Sequence, residues 1–118
     1  MRTTTLRLIL TLTVLSFTAC GGGGAEPDPS CSDPGPTDTV QLADFEFAPT
    51  CMGAAADSAI TLDNTGENPH TFTVEGTDVD VDVAAGTSAQ ADLTGVASGA
   101  YGVTCTYHPQ MTGTIVVG

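Results

Sequence analysis

Basic residues are nearly absent from this chain of 118 residues: Lys+Arg is 2 against Asp+Glu 14, a formal net charge of −12. Both cations, Arg2 and Arg7, lie close to the N-terminus, so residues 20–118 carry 14 acidic groups and no basic ones, a side-chain charge of −14. Such a chain is repelled by nucleic-acid phosphates and anionic lipid headgroups, which excludes nucleic acid as a partner. Any charge-steered partner must be basic. Histidine is scarce too, with 2 in the chain. One copy therefore cannot build a three-His zinc site or a multi-copper cluster. There is no Cys-x-x-Cys, which disfavours thioredoxin-like exchange. No apolar stripe of helix length with caps is found. The length suits one domain with appendages, and 41% hydrophobic residues argue against wholesale disorder.

Residues 1–19 read as an export signal. Arg2 and Arg7 give a positive start, and Leu6 to Phe17 is mostly apolar but too short to span a bilayer. Phe17-Thr18-Ala19-Cys20, followed by four glycines, resembles a bacterial lipobox. That resemblance implies cleavage before Cys20 and lipidation of Cys20, anchoring the chain to a membrane. The other reading is an ordinary signal cut near Ala19, with Cys20 a spare thiol. Both place the chain outside the cytoplasm, on the periplasmic or cell-surface side, where disulfides persist. Residues 20–38 are rich in Gly and Pro, acidic and without apolar period, and read as a flexible tether. If Cys31 is tied down, the ten residues between it and Cys20 reach on the order of 17 Å.

From residue 39 to 118 the pattern alternates with period two in short runs broken by Gly, Asn, Asp and Pro. Val40 and Leu42 share a face. The phase then slips and Phe45 and Phe47 take over, which predicts a bulged strand serving two sheets. Ile60 and Leu62 form a second run. His70, Phe72 and Val74 share one face of a third. Val79, Val81 and Val83 alternate with Asp78, Asp80 and Asp82, which read as a solvated sheet face. Ala89, Ala91 and Leu93, then Tyr101, Val103 and Cys105, then Thr112 to Val117 complete the set. The expected fold is all-β, an antiparallel Greek-key sandwich of about seven to eight strands. The Ala-rich stretch 51–58 is open between strand and a turn of helix.

Phase also places chemistry. His70 and Cys105 both point at the core. Cys105-Thr106-Tyr107-His108-Pro109-Gln110-Met111 is Cys-x2-His-x2-Met, so thiolate, imidazole and thioether fall within seven residues. With His70 the set becomes one Cys, two His and one Met. Such soft and borderline donors favour copper over magnesium or calcium, and two His with one Cys and a weak axial Met is the arrangement of an electron-transfer copper site. Each residue alone has a plainer reading: His70 as a core histidine, Cys105 as an inert thiol, His108 as a polar loop residue, Met111 as core. Gln110 is a rival axial oxygen donor, and Met52 reads as packing.

Residues 39–118, about two-thirds of the chain, resemble a cupredoxin of the plastocyanin/amicyanin-like kind. The resemblance is carried by the ligand loop, by Phe45-Glu46-Phe47-Ala48-Pro49, by Asn64 to Phe72, by Gly99 to Cys105 and by Met111 to Val117. It implies one type 1 (blue) copper ion held by His70, Cys105 and His108, with Met111 axial and His108 passing electrons at the surface. Thr71 stands where the family braces the ligand loop. Tyr107 and Gln110 depart from the family's loop and would tune surface and docking. With Cys20 lipidated and Cys105 on the metal, Cys31 and Cys51 remain to form one disulfide; pairing of Cys20 with either is the alternative if Cys20 is not lipidated. The function implied is a membrane-tethered, one-electron shuttle, a monomer and not an enzyme, whose redox partner proteins are basic at the docking surface. The competing function is copper binding for delivery or storage, which calls for a more exposed, Met-rich site.

Overall fold

In the computed structural model, residues 24–118 are described. The expected signal, residues 1–19, and Cys20 lie outside the described residues. Nine strands follow in order: β1 (Thr39–Ala43), β2 (Glu46–Ala48), β3 (Cys51–Ala54), β4 (Ala59–Asn64), β5 (His70–Val74), β6 (Asp80–Val83), β7 (Ser88–Asp92), β8 (Gly99–Thr104) and β9 (Thr112–Val117). They form a four-stranded sheet in the order β2-β1-β4-β7 and a five-stranded sheet in the order β3-β9-β8-β5-β6. Among the described residues no helix is long and apolar enough to cross a membrane.

Period-two alternation puts one side chain in two between the sheets. Val40, Leu42, Ile60, Leu62 and Ala91 come from one sheet, and Met52, Phe72, Val74, Val103, Ile115 and Val117 from the other. Phe47 meets Phe72 edge to face across the layers, with ring centroids 5.8 Å apart. Burial of each large apolar side chain contributes about 1.5–3 kcal/mol, so this seam holds the sandwich together.

Two local expectations change and one open reading is decided. The phase slip after Leu42 is not a bulge in a strand serving two sheets. The chain reverses at Asp44–Phe45, and β2 pairs antiparallel with β1 through Leu42↔Phe47. Phe47 reaches the core, but Phe45 sits in the turn and is 49% exposed. The sheets are not purely antiparallel, because β1 pairs parallel with β4 and β3 parallel with β9. The Ala-rich stretch is strand β3 followed by a turn in which Asp57 has φ 55°; Met52, fully buried, anchors it to the core.

The stretch read as a tether runs across the outer face of the five-stranded sheet. The Ala25 N–H donates to Thr104 Oγ1 (3.3 Å) and the Asp28 N–H to Thr114 Oγ1 (2.8 Å). Cys31 is bonded to Cys51, with Cα atoms 5.5 Å apart. The Thr37 N–H then donates to the Gly53 carbonyl. Gly102 and Gly53 make this approach feasible, because a Cβ at either would strike the backbone oxygens of Ala25 or of Pro34 and Gly35.

Candidate metal centre

His70 opens β5, and its strand phase carries the imidazole inward with Phe72 and Val74; it is fully buried. Cys105 follows β8 in the phase of Val103 and is fully buried as well. From there to β9 the chain makes a tight loop closed by its own backbone. The His108 N–H donates to the Cys105 carbonyl (3.3 Å), the Met111 N–H to the His108 carbonyl (2.8 Å), and the Cys105 N–H to the Met111 carbonyl (3.1 Å). These bonds fold His108 back over Cys105. Met111 is buried at the end of the loop, His108 is half-buried and Gln110 is exposed.

The donor atoms of His70, Cys105 and His108 lie within 4.8 Å of one another. Cys105 Sγ is 3.8 Å from His70 Nδ1 and 3.7 Å from His108 Nδ1. A small ion with about 2.0 Å to nitrogen and about 2.3 Å to thiolate sulfur, in a trigonal plane, requires N···S separations of about 3.7 Å. The donor set therefore fits one ion by chemistry and by spacing.

A second layer of polar contacts fixes these side chains. The Thr71 N–H donates to Cys105 Sγ at 3.4 Å. Thr71 Oγ1 accepts the Thr106 N–H at 2.8 Å, the brace expected of that position. Thr71 Oγ1 also lies 3.0 Å from Thr73 Oγ1, whose hydroxyl donates to Asp80 at 2.9 Å. The Tyr107 hydroxyl donates to Asp82, and this bond pushes the phenol above its ordinary value. The acidic face of β6 is thus exposed, as expected, and it also touches the ligand loop through Asp82 and the strand of His70 through Asp80.

Two residues lie near the site that the sequence did not place there: Asp44, and Phe45, which its phase assigned to the core. Asp44 Oδ1 lies 2.8 Å from His70 Nε2, and Asp44 Oδ2 accepts the Glu67 N–H at 2.9 Å. The Glu67 amide foremost, with His70 assisting, holds the Asp44 carboxyl below the ordinary aspartate value. Phe45 packs its exposed ring on His108, with centroids 4.5 Å apart. The only hint was the phase slip at residues 43–45, since nothing in the sequence pattern sets residue 44 beside residue 70.

A model of the cupredoxin-like domain matches residues 8–117. Among solved structures the chain is similar to amicyanin, here a point mutant in its Cu(I) form, at 19% identity over 79% of this chain and 92% of that one, TM-score 0.57. It is similar to a purple cupredoxin from Nitrosopumilus maritimus at 14% identity, over 68% of this chain and 98% of that one, TM-score 0.55. It is also similar to a copper-containing nitrite reductase from Thermus scotoductus SA-01 at 21% identity, TM-score 0.58; the match covers 73% of this chain but only 23% of the reductase. At these identities the likeness is one of fold. No curated protein matches the chain.

Proposed function

The chain belongs to the cupredoxin-like domain family, and on that premise we propose that it is a type 1 copper protein that shuttles single electrons outside the cytoplasm. The observation that carries this reading is the convergence of one cysteine sulfur and two imidazoles within 4.8 Å, with Nδ1 of His70 and of His108 at 3.8 Å and 3.7 Å from the sulfur. His70, Cys105 and His108 would hold one copper ion, with Met111 at the end of the ligand loop as a further, weaker donor. Bound there, copper supplies a one-electron Cu(I)/Cu(II) couple.

The chain's own residues do the rest. The apolar wall around His70 and Cys105, both fully buried, keeps water off the inner side of the site. The Thr71 amide on Cys105 Sγ and the Thr71 hydroxyl on the Thr106 amide fix the thiolate and the loop, so the donors need not rearrange when charge changes. His108 is the donor residue that reaches the surface, and it is flanked there by Phe45 and Tyr107, 49% and 52% exposed. These are the large exposed apolar side chains among the described residues, and together they suit a docking surface for a redox partner.

No substrate is turned over in this reading. The N-terminal resemblance to a lipobox supports tethering through Cys20, and the acidic surface supports partners that are basic where they dock. Delivery or storage is disfavoured by a buried site with a single thioether in its loop. Repeated reduction and reoxidation of the copper-loaded chain tests the choice. Electron transfer requires full recovery of the oxidised spectrum with copper still bound at one per chain after each cycle. Release of copper on reduction would contradict it.

A further inference from the structure

His70 has two nitrogens with different neighbours. Nδ1 faces Cys105 Sγ at 3.8 Å, while Nε2 lies 2.8 Å from Asp44 Oδ1. An ionised carboxylate only accepts hydrogen bonds, and a neutral imidazole has one N–H to give. In the neutral ring this contact favours the proton on Nε2, which leaves the Nδ1 lone pair turned toward Cys105 Sγ. That is the tautomer a metal at this site requires.

Asp44 is itself held by a built arrangement. The parallel register Leu42↔Asn64 sets the turn after β1 beside the loop after β4. Buried Asn64 anchors that loop, donating to the Asn68 and Val83 carbonyls (2.9 Å each) and accepting the Gly66 N–H (2.9 Å). The Glu67 N–H grips Asp44 Oδ2 at 2.9 Å. Gly66 leaves the carboxylate its room, since a Cβ there would strike Asp44 Oδ1. His70 is fully buried and the Asp44 side chain is 24% exposed, so water reaches the contact from the Asp44 side alone.

We propose that Asp44 is a positioning residue for the metal: it locks His70 as the Nε2–H tautomer and, through that bond, strengthens Nδ1 as a donor and favours the oxidised ion. This rests on the copper reading above. A carboxylate on the far nitrogen of a metal-bound histidine raises the ligand's basicity, and loss of such a partner costs about 10–100-fold in metal affinity. The more highly charged Cu(II) gains most from a stronger donor, so removing Asp44 weakens Cu(II) more than Cu(I).

The test compares Asp44→Ala, Asp44→Asn and Gly66→Ala with the unmodified chain. In the metal-free protein at mildly alkaline pH, 15N chemical shifts of His70 report the tautomer. The unmodified chain is expected to show Nε2–H alone. Asp44→Ala, and Gly66→Ala by displacing an intact carboxylate, should show a mixture. Asp44→Asn keeps an acceptor oxygen, so it should keep the tautomer while losing the charge. With copper, all three should bind Cu(II) about 10–100-fold more weakly, with a higher reduction potential, by about 59 mV for each tenfold by which Cu(II) is weakened more than Cu(I). Asp44→Asn and Gly66→Ala carry the test if Asp44→Ala does not fold. Variants that keep the tautomer, the affinity and the potential of the unmodified chain would overturn the proposal, as would variants that lose thermal stability alone. If the unmodified chain takes up no copper, the electron-transfer reading fails, and the tautomer measurement still decides whether Asp44 orients His70.

Discussion

Thr71 does two jobs with one backbone unit and one hydroxyl. Its amide donates to the Cys105 sulfur and its Oγ1 accepts the Thr106 amide, and it is 2% exposed. Thr71→Val keeps the shape and the first contact but removes the second. An amide left without its acceptor costs about 1–3 kcal/mol when buried; Thr106 is exposed, so the low end applies and about 1 kcal/mol of stability is expected to be lost. Denaturant unfolding of the metal-free variant measures this, and an unchanged midpoint would show that water replaces the brace without loss. Position 71 was legible because it adjoins a ligand in a recognisable segment. Asp44 was not: its partner is 26 residues away, and alternation says only that a strand breaks near it. Phe45 failed for a related reason. Two aromatic residues at i and i+2 read as one buried face, but a reversal between them and β1 put one in the core and the other on His108.

Strands with one buried face declared themselves, because a period of two follows from the pleat and needs no knowledge of partners. The ligand loop was equally plain, since three donors sit within seven residues and few local geometries hold them apart. Pairing was not plain. The parallel neighbours β1·β4 and β3·β9 depend on which strands meet after long intervals of chain, and the side-chain pattern of a strand does not encode that. The segment 25–38 was the hardest case. Its Gly and Pro content reads as tether, yet its N–H groups find Thr104, Thr114 and Gly53 on the sheet, and Cys31 is bonded to Cys51 across a separation of 20 residues. In the chain-entropy model that bond contributes about 3 kcal/mol. The double variant Cys31→Ala, Cys51→Ala in the metal-free protein is therefore expected to melt roughly 12–24 °C lower, at 4–8 °C per kcal/mol for a domain of this size. It should keep its copper site, whose donors come from β5 and the β8–β9 loop. A melting point within a few degrees of the original would show that the remaining contacts of the segment suffice.

The described residues carry every one of the 14 acidic groups and no Lys or Arg. Long-range charge acts on encounter rates rather than on fold, and at about 0.15 M salt it is screened over roughly 8 Å. Electron transfer to a cationic partner protein is therefore expected to slow as ionic strength rises, and transfer to an anionic one to quicken; stopped-flow mixing at several salt concentrations checks both signs. Salt-independent rates with both would mean that the aromatic surface around His108, not charge, governs docking. Fold, acidity and surface all acquire their meaning from the converging group of His70, Cys105 and His108. The most direct test is the visible absorption spectrum of the chain after loading with Cu(II) to one ion per chain. A trigonal site with a thiolate donor produces an intense sulfur-to-copper band that Cys105→Ser abolishes. A loaded chain with only the faint absorption of copper on nitrogen and oxygen donors, unchanged by Cys105→Ser, would contradict the account.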